Sequence, residues 1–225
     1  ARRDPVDFDA DALGAADPEQ LRVHRAVRDC GSFGSQTLDW RGRLPEHLGT
    51  LTTEVLEAPA AALLDRPLGL AVLTAACAVA EALLPEGEEH PAIYHGLAGL
   101  MAVLDEPEQG VLLGSAYVQW EMGVLGELGF GLDLTACAAT GETENLTYVS
   151  PKSGRAVSTA AGRPYHDRML PLPPFLRGPG IAETTEEVVA GLKLTGFFLE
   201  NHALEGRPGR LPARQRLTDR FAVKK

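Results

Sequence analysis

The chain has 225 residues, 44% of them hydrophobic, and a mean hydropathy of −0.07, so it holds enough apolar material for a packed core. Its net charge of −10 argues against a protein that coats nucleic acid over its whole surface. No apolar run reaches the roughly 18 residues of a membrane span, because Asp65, Arg66 and Pro67 cut the richest stretch. Cys30, Cys77 and Cys137 form no CxxC pair, which excludes a four-cysteine zinc site and argues against a disulfide framework. A reducing cytoplasm is the expected setting. The start Ala1-Arg2-Arg3-Asp4 is not a secretory leader, and the absence of an initiator Met points to a trimmed or partial chain.

Residues 1–35 are acidic and Ala-rich, with no sustained period of 2 or 3.6, and are left unassigned. Over 36–57, QTLDWRGRL and GTLTTEVLE alternate partly about Pro45-Glu46-His47 and predict two antiparallel strands. Asp65 is the expected N-cap of a helix over 67–84. That helix is apolar nearly all round (Leu68, Leu70, Val72, Leu73, Cys77, Val79, Leu83), as suits a central element with Cys77 in the core. His90-Pro91 opens a second helix with Ile93, Leu97, Leu100 and Leu104 on one stripe, broken at Asp105 to Pro107. A third runs over 108–128 with Val111, Ala116, Trp120, Val124 and Leu128 inward, and Gly129 and Gly131 follow as C-caps. Short links predict an antiparallel bundle.

Residues 130–180 read as non-helical, with two short strands about the turn in YVSPKSGRAVS and an extended PLPPF link. Thr184 and Glu187 form a capping box before Val188, Val189, Leu192 and Leu199, in a helix ending near His202. A last helix over 212–222 sets Leu217 and Phe221 inward, with Arg214, Arg216 and Arg220 outward or sideways.

Charge divides along the chain. Residues 1–134 hold 8 Lys and Arg against 22 Asp and Glu, a balance of −14, whereas residues 135–225 hold 13 against 9, a balance of +4. A basic end on an acidic body is a phosphate footprint or a solvated surface. No GxSxG, HExxH, phosphate-loop or GxGxxG motif occurs, and PKSGRAVS lacks the glycine spacing of a phosphate cradle. His90 and His95 stand about 140° apart on a helix and are poor co-ligands. No acidic pair is recognisable as catalytic, so no enzyme is expected.

Several segments resemble one family. LDWRGRLPEHLGTLTTEVLE, PLGLAVLTAACAVAEALLPEGEEHPAIYHGL, WEMGVLGELGFGLDLTACAATGETENLTYVSPKSGRAVS, GRPYHDRMLPLP and LKLTGFFLENH together resemble the bacterial DNA repair family RecO, of the alphaproteobacterial kind, over about 38–221. The most specific pieces are ELGFGLDLTACAATG, YVSPKSGRAVS and LTGFFLENH. The resemblance implies a mainly α chain: a helical bundle over 58–225, a small zinc-finger-like β insert at 130–180, and a partial N-terminal OB-fold over 1–57. It implies a cytoplasmic, nucleoid-associated recombination mediator without catalysis. Such a protein binds single- and double-stranded DNA, anneals strands, engages the acidic C-terminal tail of SSB, and joins RecR to load RecA, with no membrane role.

Two departures qualify it. Zinc-bearing relatives carry two CxxC pairs in the insert, whereas here Cys137 stands alone, Thr140 takes the second position, and the later pair near Gly154 to Ala161 is absent. No metal or other cofactor is expected, and packing of Leu146, Tyr148, Val149 and Val157 must hold the insert. Only 36–57 resembles the closing part of a five-stranded barrel, so the barrel is expected to be truncated or divergent. The candidate DNA-binding residues are Trp40, Arg41, Arg43, Lys152, Arg155, Arg163 and Arg168, by stacking and phosphate neutralisation. Trp40 reads first as a barrel-core or domain-interface residue and second as a base-stacking one. Arg214, Arg216 and Arg220 are candidates for DNA or for the SSB tail. The rival reading is a helical protein-interaction scaffold that does not touch DNA.

Overall fold

The computed structural model describes residues 21–26, 35–41, 50–55, 63–85, 88–105, 110–178, 180–204 and 211–223. The chain divides into two compact units, residues 1–66 with 84–89 and residues 67–83 with 90–225.

The first unit contains an antiparallel sheet in the order β1 (Leu21–Ala26), β2 (Ser35–Arg41), β3 (Thr50–Val55). The two strands expected within 36–57 are β2 and β3, paired from Gln36↔Val55 to Arg41↔Thr50. β1 lies in the segment where the sequence showed no period. Register explains why: Leu21 pairs with Trp40 and Val23 with Leu38, but the third position of that face is Arg25, opposite Gln36. The apolar alternation is therefore only two residues long on β1 and becomes legible only beside its partner strand.

The second unit is mainly helical: α1 (Pro67–Leu83), α2 (Pro91–Asp105), α3 (Gly110–Glu127), α4 (Thr185–Phe198) and α5 (Pro212–Ala222). α1 starts at Pro67, so its N-cap position is Arg66, and Asp65 lies in the preceding turn closed by the Arg66 N–H to the Leu63 carbonyl. This corrects the cap expected at Asp65. α1 buries Val72, Leu73, Ala76, Val79 and Leu83, while Leu68, Leu70 and Cys77 are only half-buried. Only Pro67 and Glu81 of α1 are exposed, so the helix is covered nearly all round as expected, with Cys77 at the edge of its buried face.

α2 buries Ile93, Leu97, Leu100 and Leu104, the expected stripe. It runs antiparallel to α3: Gly96 lies against Trp120, and His90 Nδ1 is 3.8 Å from Glu127 Oε1. On α3 the buried face is Leu113, Tyr117, Val118, Trp120, Glu121, Val124 and Leu125, whereas Val111, Ala116 and Leu128 are half-buried. The expected stripe was rotated, because α3 meets α2 on one side and α4 on the other. Of the two glycines expected as C-caps, Gly129 is one, whereas Gly131 has no positive φ. Gly129 has φ 84°, its N–H donates to the Gly126 carbonyl, and the Phe130 N–H donates to the Leu125 carbonyl.

Thr184 caps α4 by accepting from the Glu187 N–H at 3.3 Å, and Glu187 Oε2 accepts from the Glu183 N–H at 3.0 Å. α4 continues into a π-turn over Leu199–Ala203. Small residues let the helices close up. A Cβ on Gly114 of α3 would collide with Val188 of α4 and lie 2.9 Å from Phe221 of α5.

One polar cluster sits inside this core. Glu121 of α3 is fully buried and Arg214 of α5 is 3% exposed. Arg214 Nε donates to Glu121 Oε1 at 2.6 Å and Nη2 to Oε2 at 2.9 Å. Nη2 also donates to the Leu192 carbonyl and to Thr195 Oγ1, and Thr195 Oγ1 donates to Glu121. A bidentate pair with these further bonds is the geometry in which a buried ion pair is tolerated. Gly196 makes room for it, since a Cβ there would lie 2.5 Å from Arg214 Nη1 and 3.0 Å from Cζ. The expectation that Arg214 points outward is overturned: it ties three helices together from within.

Candidate nucleic-acid interface

Four of the candidate cations, Lys152, Arg155, Arg163 and Arg168, lie on the insert between α3 and α4. Its sheet, in the order β5 (Ala156–Ser158), β4 (Leu146–Val149), β6 (Leu170–Pro171), pairs antiparallel throughout. The expected strand pair about YVSPKSGRAVS is β4 and β5. Their turn closes by the Ser150 N–H to the Arg155 carbonyl and the Gly154 N–H to the Ser150 carbonyl. Gly154 has φ 66°, a conformation that costs residues with a Cβ, and a Cβ there would also sit 3.0 Å from Leu132. Leu146, Val149 and Val157 are buried and Tyr148 is half-buried, the packing set expected. The segment is not free of helix, however: a single helical turn spans Thr159–Gly162, and 3₁₀ turns span Arg163–Arg168 and Pro174–Arg177.

Cys137 is 2% exposed, and its Sγ accepts the Ser158 N–H at 3.2 Å. Burial pushes the thiol up, but the polar groups of Ser158, Thr140 and Ala139 around it, with the Ser158 N–H bonded to the sulfur, outweigh it and hold it down to about 6. Backbone bonds complete the hold: the Cys137 N–H to the Glu142 carbonyl and the Ala138 N–H to the Ala156 carbonyl. One thiol beside hydroxyls does not make a tetrahedral thiolate set, and among the described residues no group of three His, Cys, Asp or Glu could hold a metal ion. The sulfur serves here as a hydrogen-bond acceptor at a strand end.

The candidate residues differ in what they leave free. Lys152 is exposed on the Pro151–Gly154 turn. Arg155 is exposed but engaged: its Nε donates to Asp133 Oδ2 at 3.2 Å, beside a parallel bridge between the two residues. Hydrogen bonds from Thr135, first by its hydroxyl at 2.6 Å, hold the Asp133 carboxyl below its ordinary value, with Arg155 adding to it. Arg163 and Arg168 are exposed at the two ends of a 3₁₀ segment kinked at Tyr165, and among the described residues their guanidinium groups meet no hydrogen-bond or ion-pair partner. Arg216 and Arg220 are exposed on α5, whereas Arg214 is withdrawn into the core and is not available to a partner. Trp40 and Arg41 lie on β2, on opposite faces by register, and Arg43 lies outside the described residues.

Sequence reasoning passed over three groups. Lys193 is an exposed cation on α4. Arg177 donates from Nη2 to the Thr143 carbonyl at 3.0 Å, a use of charge that spacing does not reveal. Tyr165, inside the quoted GRPYHDRMLPLP, is 57% exposed between Arg163 and Arg168. An aromatic residue two positions after one arginine and three before another is the signal that the sequence offers.

The pattern of the family described as Recombination protein O C terminal matches residues 65–211. A DNA repair protein RecO of Rhodospirillum centenum is 51% identical over 185 residues, covering 81% of this chain and 72% of the relative. The RecO of a Ruegeria species is 48% identical over 189 residues, covering 82% and 76%. That of Gluconacetobacter diazotrophicus is 45% identical over 209 residues, covering 92% and 82%. The chain therefore belongs to the RecO family of DNA repair and recombination proteins, of the alphaproteobacterial kind.

Proposed function

We propose that this protein is a recombination mediator that works by binding, not by catalysis. It neutralises the phosphates of single- and double-stranded DNA, anneals complementary strands, engages the acidic tail of SSB, and acts with RecR to load RecA. The observation that carries this reading is the set of exposed guanidinium and ammonium groups without a partner among the described residues, Lys152, Arg163 and Arg168 on the insert and Arg216 and Arg220 on α5. Charges left without an internal partner remain free to release counterions from a polyanion. The deepest charged pair, Glu121–Arg214, is saturated with hydrogen bonds and closed to solvent, so it supports the fold and offers no acid or base to a substrate.

Arg216 and Arg220 stand on the outer side of α5, where an acidic peptide tail meets positive charge. The test is the affinity of the full chain for an oligonucleotide across salt concentration. A negative slope of log K against log salt is expected, and each cation-to-Ala change among the named residues flattens it by about 0.7 on a single strand. A slope near zero refutes direct DNA contact and leaves the scaffold reading.

A further inference from the structure

We infer that Tyr165 is the base-stacking residue of a single-strand-binding turn on the insert. This deepens the DNA-binding reading above and rests on it. The turn Arg163–Arg168 buries none of its residues, yet it is firmly seated. At one end Gly162 lies so close on the Tyr148 ring that a Cβ would collide with it. At the other, the Met169 N–H donates to the His166 carbonyl and the chain passes directly into β6 against β4.

Within the turn, Tyr165 departs from helical geometry at φ −123° and ψ 15°. The polar groups beside it engage one another: His166 Nδ1 lies 3.2 Å from the Arg163 carbonyl, and Nε2 lies 3.0 Å from Asp167 Oδ1. What remains unspent is one exposed aromatic ring and two exposed guanidinium groups, at positions 163, 165 and 168. Glu142 and Glu144 border a depression shared with Arg163, but neither comes within ion-pair distance, so they weaken its charge without consuming it.

An exposed ring with an arginine two residues before it and another three residues after it, in one short segment, offers a base a stacking face and its phosphates positive charge, with little regard to sequence. It discriminates strands, because only an unstacked base offers its face. A protein-docking patch would instead gather apolar neighbours around the tyrosine. Here four of the five residues that flank it in sequence within the turn, Arg163, His166, Asp167 and Arg168, are polar or charged, and these and Pro164 are all exposed.

The test uses the full chain and a fluorescent oligothymidine, with a duplex of equal length as control. Tyr165→Ala is expected to weaken single-strand binding by about fivefold to a hundredfold and to leave the salt slope and the duplex affinity unchanged. Tyr165→Phe is expected to retain affinity, since stacking needs the ring and not the hydroxyl. Arg163→Gln and Arg168→Gln should flatten the slope on both substrates. Because Tyr165 is exposed, its loss does not threaten folding. If Tyr165→Ala binds single strands as the unaltered chain does while a negative salt slope persists, the inference fails and the DNA reading stands. Unchanged DNA affinity with a lost protein partner equally overturns it, in favour of a docking role. If the unaltered chain binds no oligonucleotide, both fall.

Discussion

Replacing Arg214 with Met is the sharpest test of how the helical unit is held. Met matches the length and apolar body of the arginine stem but leaves no cation for Glu121, which is fully buried. The carboxylate would keep only the Thr195 hydroxyl, and the Leu192 carbonyl would lose the guanidinium it now shares. Breaking a buried pair from one side costs about 3–5 kcal/mol, because the abandoned charge cannot be rehydrated. For a chain of this size, that corresponds to a fall of about 6–20 °C in Tm. Urea or thermal unfolding followed by far-UV circular dichroism reads it directly. The double variant Glu121→Leu with Arg214→Met removes both charges and should recover most of the loss, since apolar replacement of a whole buried pair is about neutral or stabilising. A single variant that costs less than about 1 kcal/mol, or a double variant as unstable as the single, would refute the account of α3, α4 and α5 as joined by this pair.

Gly196→Ala should act on the same cluster, driving a methyl to 2.5 Å from Arg214 Nη1 and costing about 1–3 kcal/mol by overpacking in the same unfolding assay. Tyr117 is buried with a hydroxyl that meets no hydrogen-bond partner, and burial, then the nearby Glu121 charge, raises its pKa well above 10.0 against the opposing pull of Arg214. A raised phenol favours the folded state below its unfolded value, so stability should fall as pH climbs past about 10. Tyr117→Phe should unfold at no lower urea concentration at neutral pH and show a shallower alkaline loss. Cys137 has the opposite sign. Its thiol is held at about 6 against 9.0, so the stability it adds is present above the unfolded value and fades as pH falls through 6. The stability gap between the unaltered chain and Cys137→Ala should therefore narrow from pH 9 to pH 6, and a constant gap would contradict the thiolate assignment.

Much of the helical unit was legible because its elements announce themselves locally. The stripe Ile93, Leu97, Leu100 and Leu104, the Thr184 cap and the Gly129 stop each depend on residues within a turn or two of one another. What failed depended on partners distant in sequence. β1 is recognisable only against β2, since Leu21 and Val23 make a face with Leu38 and Trp40. The α3 stripe rotated because a helix packed on two sides buries more than one face. Arg214 was misplaced by assuming that charge points to water. Its spacing to Leu217 and Phe221, three and seven residues on, already set it on the buried stripe, and Glu121 interrupts an otherwise uncharged run over residues 110–126 of α3. Two opposite charges, each on an inward stripe of its own helix, are the sequence trace of a buried pair.

The same lesson bears on how the basic end of the chain is read. Its excess of positive charge is not the quantity that meets DNA, because part of it is spent internally: Arg214 on Glu121, Arg155 on Asp133, and Arg177 on a backbone carbonyl. Among the described residues of the helical unit, the exposed cations without an internal partner are Lys152, Arg163, Arg168, Lys193, Arg216 and Arg220. At about 0.7 per phosphate on a single strand, these six bound the salt slope of this unit at about −4, and only if all lie along one strand path. A measured slope much steeper than that requires cations outside the set, with Arg41 on β2 and Arg43 as the first to substitute. A shallower one, abolished by Arg163→Gln and Arg168→Gln together but untouched at Arg216 and Arg220, would assign DNA to the insert and leave α5 to the acidic tail.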